Sequence, residues 1–244
     1  MNGCNPYVLA DTPSYGVVYK PPRMHSVPLK GESSGETLLD WCAALYPATR
    51  TLRGKQSWEG GVLHRLDYET QGVVLFAKTQ TALDALNAQQ EAGRFVKEYR
   101  AVSVPAQRLP GFPPQPRFAD APSAVESGFR AFGPRGRAVR PVQEASPGRR
   151  KFILDRGNPY RTEILQKYEL GIYTKFHLQI IRGFRHQIRC HLAWLGFPLL
   201  NDALYGGVSD GGSLGLTAWA VSFYDPLSGK PRRYSLWRKF YTDP

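Results

Sequence analysis

The sequence predicts an α+β chain, and three observations carry that expectation. Short β-branched and aromatic runs, such as residues 73–79 and 176–180, have the length and composition of strands. Two segments, 37–46 and 185–195, instead repeat their apolar residues at helical spacing. No internal repeat or heptad run organises the 244 residues. A chain of this length buries a substantial core, and one domain spanning 1–244 is expected.

Taken in order, Val17-Val18-Tyr19-Lys20 reads as a strand stopped by Pro21 and Pro22, which remove backbone donors. Leu38, Leu39, Trp41, Cys42 and Leu45 predict a core helix that starts after Ser34 or Gly35 and ends before Pro47. A buried strand over 73–79, a helix over 80–93 closed by Gly93 and a strand over 95–104 follow. Between 105 and 150 the pattern breaks down, because nine of the 20 prolines fall there. Within 117–151 eight basic residues face three acidic ones, so this Pro/Gly-rich segment is read as a basic, loop-rich insertion. Residues 160–169 alternate like a strand whose buried face the sequence leaves open, and 176–180 form the next strand. Ile188, Leu192 and Leu195 place a helix over about 185–195 with Gly196 as its stop, and 221–224 form a late strand.

Lys and Arg number 32 against 20 Asp and Glu, giving a net charge of +12 and a pI near 9.8. That balance points to a polyanionic partner, nucleic acid first and an anionic membrane surface second. No uninterrupted apolar run approaches the roughly 20 residues that span a bilayer. The first residues lack a signal-peptide core. Cys4, Cys42 and Cys190 are an odd, scattered set without CxxC pairing, which supports neither a disulfide framework nor a zinc ribbon and suits a reducing cytoplasm.

Chemistry concentrates in three segments. The first is His64-Arg65-Leu66-Asp67-Tyr68-Glu69-Thr70-Gln71-Gly72. On extended backbone, residues two apart share a face, so Arg65 and Asp67 point one way while His64 and Leu66 point the other. Alone, Arg65 and Asp67 read as an ordinary ion pair at a strand end, since structural ion pairs perturb pKa values as active sites do. The second is Lys97-Glu98-Tyr99, where an isolated Tyr99 reads as a cross-strand aromatic. The third is Gly183-Phe184-Arg185-His186-Gln187-Ile188-Arg189-Cys190-His191-Leu192, followed by Leu195-Gly196-Phe197-Pro198-Leu199-Leu200-Asn201-Asp202 and Ala203-Leu204-Tyr205-Gly206. His186 and His191 stand five apart, roughly 140° around a helix, whereas helical zinc pairs use three or four, so no metal site is expected. Neither Gly206-Gly207 nor Gly211-Gly212 belongs to a nucleotide-binding glycine motif, so no cofactor is expected.

Together, in this order, the three segments resemble the RluA-type family of pseudouridine synthases, whose signature is an HRLDxxTSG stretch, a KxY element and a GRxHQ(I/L)RxH helix followed by LGxPLLGDxLYG. Val18-Tyr19-Lys20-Pro21 and Ser26-Val27-Pro28 resemble the family's VNKPxGxxxxP opening, so the likeness covers about 15–228. It implies a single catalytic domain with a mixed, largely antiparallel sheet flanked by helices. No separate RNA-binding module is recognised before residue 15.

The reaction so implied is isomerisation of uridine within structured ribosomal or transfer RNA by a cofactor-free enzyme expected to act as a monomer. Asp67 is the carboxylate, either as nucleophile or as the base that removes a ribose proton. Arg189 favours its ionised form, and Tyr99 stacks on the base or moves a proton. Arg65 enters the stack beside the everted uridine, whose extrusion costs a few kcal/mol. His64, Arg185, Gln187 and Ile188 complete the substrate-binding set, and Arg135 and Arg137, with Arg130 and Arg140, are assigned to RNA phosphates. Three positions depart from the family pattern: Gln71 stands where Ser is usual, Phe184 displaces the Arg to Arg185, and Thr217 stands where many relatives carry His. With the basic insertion they motivate a competing reading, an RNA-binding or assembly factor that keeps the fold without useful activity; a third reading is a hydrolytic base-removing enzyme, which also needs a carboxylate and an extruded nucleotide.

Overall fold

The computed structural model describes residues 5–29, 36–106, 124–127, 129–131, 152–154 and 160–236. Its elements are β1 (Tyr7–Asp11), β2 (Tyr15–Lys20), α1 (Leu38–Leu45), α2 (Ala48–Thr51), β3 (Gln71–Ala77), α3 (Gln80–Glu91), β4 (Val96–Ser103), β5 (Ala124–Ser127), β6 (Phe129–Ala131), β7 (Phe152–Leu154), β8 (Tyr160–Leu170), β9 (Tyr173–Ile180), α4 (Gln187–Trp194), β10 (Leu216–Tyr224) and β11 (Pro231–Ser235). The chain divides into two compact units, Met1–Glu98 with Thr217–Pro244, and Tyr99–Leu216. The α+β expectation holds; β3 and β10 pair in parallel, while β1–β2, β2–β3, β5–β8, β6–β7, β8–β9 and β10–β11 pair antiparallel.

In the first unit β1, β2, β3 and β10 lie side by side, and β11 pairs with β10. Residues 73–77 of β3 are wholly buried, which accounts for a run without polar alternation. Leu83 and Leu86 of α3 pack on a core that includes Tyr15, Val17, Leu75, Phe95, Val221 and Phe223. Gln89 of α3 fastens the end of β10, donating to Tyr224 O at 2.8 Å and accepting from Tyr224 N at 2.7 Å. Gly72 sits at φ 135° with its Cα against Ala218, so a side chain there would meet the β10 backbone.

Helix α1, Leu38–Leu45, falls within the expected 37–46, and its cap is Thr37 rather than Ser34 or Gly35. Thr37 and Asp40 form a reciprocal capping box.

In the second unit β5, β8 and β9 are consecutive antiparallel neighbours, and β6 and β7 form a separate pair. Helix α4 starts at Gln187 rather than about 185, because His186 takes a left-handed conformation with φ 61°. Its end is as expected. Gly196, at φ 88°, donates to Ala193 O at 3.1 Å while Phe197 N reaches Leu192 O at 2.8 Å, the two bonds of a Schellman cap. Around α4, Cys190, Ala193, Trp194 and Tyr205 form a small core.

Candidate active site

Asp67 opens a turn between the Val62 bridge and β3, closed by Thr70 N donating to Asp67 O at 3.0 Å. The expected alternation is present. Arg65 is exposed and Asp67 partly so, while Leu66 is buried and His64 turns inward. Arg65 forms its ion pair with Glu59, at 3.3 Å, so the Arg65–Asp67 pair suggested by spacing is replaced by a partner six residues upstream. With 58% of its side chain open, Arg65 stands clear of the core.

The turn is held from below by the segment after β2. Ser26 Oγ donates to Leu66 O at 3.1 Å and accepts from Leu66 N at 3.0 Å. Lys20, fully buried, gives its ammonium to Pro21 O at 2.8 Å, Met24 O at 2.7 Å and Tyr68 O at 3.4 Å. Arg23 N adds a bond to Tyr68 O at 2.7 Å, and the His25 and Tyr68 rings lie 4.7 Å apart. Burial lowers the Lys20 pKa to about 8, against the opposing pull of the Asp67 and Glu69 charges. Two strings from distant parts of the sequence therefore build one loop pair.

Sequence reasoning had assigned no role to Lys20 or Ser26. The available signal was a lysine ending a strand of otherwise apolar and aromatic residues, which needs several acceptors once buried.

His64 acts from behind the same turn. Its Nε2 accepts from Leu75 N at 3.2 Å, and its ring lies 5.4 Å from Phe95. An imidazole that accepts there is neutral, and burial lowers its pKa to about 3.

Two of the three residues that depart from the family pattern also meet. Gln71 and Thr217 are register partners of β3 and β10, and Gln71 Nε2 donates to Thr217 Oγ1 at 3.4 Å. Tyr19 donates its hydroxyl to Gln71 Oε1 at 2.7 Å. The longer amide thus links β2, β3 and β10 just beyond the Asp67 turn.

In the second unit, Tyr99 is buried on β4, and Arg189 is buried within α4. Arg189 donates through Nε and Nη2 to the two oxygens of Asp202, at 2.7 and 2.8 Å, with both side chains almost wholly enclosed. The guanidinium also lies 5.5 Å from the Tyr205 ring centroid. Asp202 was quoted in the motif but given no role, although an arginine on a helix whose every residue is buried calls for a carboxylate.

Gln187 and His191, one helical turn apart, brace this arrangement. Gln187 Nε2 donates to Arg161 O at 3.0 Å and Thr162 Oγ1 at 3.1 Å, and its Oε1 accepts from Phe184 N at 3.2 Å. Thr162 Oγ1 and His191 Nδ1 share a hydrogen bond at 2.8 Å. Burial lowers the His191 pKa to about 3, which keeps the imidazole neutral.

Ile188 is buried. Arg185 is exposed and precedes the helix, so the rotation of about 100° per residue within a helix does not govern where it points. Arg135, Arg137 and Arg140 lie outside the described residues, as does the Arg130 side chain. Cys42 and Cys190 are buried thiols with pKa values pushed up to about 12 by burial.

Breaking the Arg189–Asp202 pair from one side is expected to be costly, because the surviving charge stays buried. Asp202→Asn should destabilise the protein by about 3–5 kcal/mol, read from chemical denaturation. The double variant Arg189→Met/Asp202→Leu should recover most of that loss without restoring any activity that needs the guanidinium. Equal stability of the wild type and Asp202→Asn would refute the assignment.

Comparison with known proteins places these features in a family. The profile described as RNA pseudouridylate synthase matches residues 14–194. An uncharacterized RNA pseudouridine synthase of Chloroflexus aurantiacus is 32% identical over 187 residues, covering 77% of this chain and 50% of that protein. Ribosomal large subunit pseudouridine synthase D of Pasteurella multocida is 29% identical over 191 residues, 78% of this chain and 50% of the relative. The chain thus spans about half the length of these curated relatives. Among solved structures, Human RNA Pseudouridylate Synthase Domain Containing 1 has a similar fold, with a TM-score of 0.60 at 20% identity over 95% of this chain and 82% of that one. With its profile match running from before β2 to the end of α4, and with the Asp67 turn and Arg189 helix inside it, the chain belongs to the RNA pseudouridylate synthase family.

Proposed function

We propose that this chain is an RNA pseudouridine synthase that isomerises specific uridines in structured RNA, with Asp67 as the reacting carboxylate. The observation that carries the reading is the Asp67 turn, whose backbone is gripped by Ser26 and Lys20 while residue 67 itself stays partly exposed within a family-matched segment. A nucleophile or base must be fixed and yet reachable.

In the proposed reaction the C1′–N1 bond breaks and a C1′–C5 bond forms. The C5 hydrogen leaves as a proton to solvent, and N1 takes a proton up. Tyr99 stacks on the target base, Arg189 favours the ionised carboxylate, and Arg65, exposed beside the turn, fills the space the base vacates. Arg185, Arg135 and Arg137 support binding of the surrounding RNA directly, and the buried His64, Gln187 and Ile188 support it from within by holding the elements that carry the site. The protein is proposed to act in the cytoplasm as a monomer without a cofactor. Among the described residues no helix is long and apolar enough to cross a membrane.

Ribosomal large-subunit RNA is the first target to test, since several relatives are named for it. Transcripts of large-subunit RNA and transfer RNA carrying tritium at uridine C5 should release tritium to water when incubated with the protein. Binding without release on both RNAs would leave the assembly-factor reading, and free uracil as product would indicate base removal instead.

A further inference from the structure

The hairpin of β8 and β9 has two unlike faces. Thr174, Phe176, Leu178 and Ile180 of β9 point to one side and are buried, with Phe176 against Phe197 at 5.4 Å. Register places Tyr168 opposite Lys175, Leu170 opposite Tyr173 and Gln166 opposite His177, all on the other side. Tyr168 is 43% exposed and Leu170 56%, with Ile172 at the hairpin end 69% exposed. Exposed large apolar side chains are therefore concentrated on an element whose inner face already has a core.

The chemistry of this outer face selects among partners. Tyr168 and Tyr173 stand diagonally across the two strands, a separation of roughly 7–8 Å between backbones. Glu163 is the carboxylate at these paired outer positions, and it is held by Arg161 at 3.0 Å and Gln179 at 2.9 Å. The hairpin's other acidic pair member, Glu169, lies on the opposite face with Lys167, 3.7 Å away. What remains outward is two phenol rings and Leu170, interleaved with a lysine, a histidine and amides. Flat rings and a cation on an open sheet suit unpaired bases joined by phosphates, because every base has a stacking face and every phosphate a charge. A protein whose net charge is +12 adds long-range attraction for such a strand.

We propose that the outer face of the β8–β9 hairpin docks single-stranded RNA, with Tyr168 and Tyr173 stacking on unpaired bases and Lys175 meeting the phosphates. The proposal rests on the reading of this chain as an RNA-modifying enzyme and adds to it a second contact surface, in the unit that carries Arg189.

The test uses the full chain and a fluorescein-labelled twelve-nucleotide oligouridine, with binding followed by anisotropy from 50 to 200 mM salt. Tyr168→Ala and Tyr173→Ala should each weaken binding about tenfold, whereas Tyr168→Phe and Tyr173→Phe stay close to wild type. Lys175→Gln should lower the salt slope by about one. Alanine variants that bind like wild type overturn the proposal. So does concentration-dependent self-association in sedimentation that Tyr168→Ala abolishes, since the face would then serve a second copy. Tritium release from C5-labelled transcripts is read in parallel. Release combined with ring-independent binding sinks this surface alone, and ring-dependent binding without release sinks the synthase reading alone.

Discussion

Replacing Asp67 by Asn is expected to reduce tritium release from C5-labelled RNA to background while leaving RNA affinity within about threefold of wild type. The substitution keeps the shape of the side chain and the turn bond from Thr70 N to the residue 67 carbonyl. It removes the charge. An amide can neither attack carbon as a carboxylate does nor take a proton at neutral pH, so loss on the order of 10⁴-fold or more is expected in single-turnover rate. Affinity is expected to persist because it comes mainly from phosphate contacts that Asp67 does not make. The substitution also has an electrostatic signature independent of activity. The Asp67 charge supports the buried Lys20 ammonium against desolvation, so its loss should push the Lys20 pKa further below about 8. Undiminished tritium release by Asp67→Asn would remove Asp67 from the chemistry, whatever the fate of the RNA affinity.

How much of this could be read from the chain alone depends on where each residue finds its partner. The strand over 73–77 and the helix stop at Gly196 were legible because composition and local φ requirements decide them. Strands β1 and β11 were not. Tyr7–Asp11 is half-buried and Pro231–Ser235 is mostly polar, and each is a strand because β2 or β10 pairs with it. The open question over 160–169 also has a physical cause. Beyond Ile164, β8 is exposed on both faces, so alternation in its sequence reports no buried side.

The site divides in the same way. Motif spacing singles out Asp67, Tyr99 and Arg189 as candidates, but not the groups that hold the Asp67 turn and the Arg189 guanidinium. Lys20 reaches Tyr68 across 48 positions, Ser26 reaches Leu66 across 40, and Asp202 meets Arg189 across 13. Such contacts are created by the fold, and only the need of a buried charge for partners hints at them beforehand. The Gln71–Thr217 contact is a further case. Two separate departures from a family pattern become one interaction once β3 and β10 lie in register.

Acidification is expected to destabilise both units through His64 and His191, whose pKa values near 3 lie far below the ordinary 6.5. In each case burial holds the folded imidazole neutral. Protonation of His64 has a further structural cost, because Nε2 would lose its bond from Leu75 N. The unfolded chain binds a proton at each position below about pH 6.5, whereas the folded chain does so only near pH 3. Stability is therefore fully present above pH 6.5 and falls as the pH drops through the interval between those values. Each imidazole should remove about 2 kcal/mol at pH 5 and about 3 kcal/mol at pH 4, so together they can consume much of a typical domain's stability. His64→Gln and His191→Gln retain a side-chain acceptor without titrating. Each should be less stable than wild type at pH 7, yet the deficit should shrink by about 3 kcal/mol toward pH 4 in urea titrations. Curves that stay parallel to wild type across this range would assign the acid sensitivity to carboxylates and remove both histidines from it.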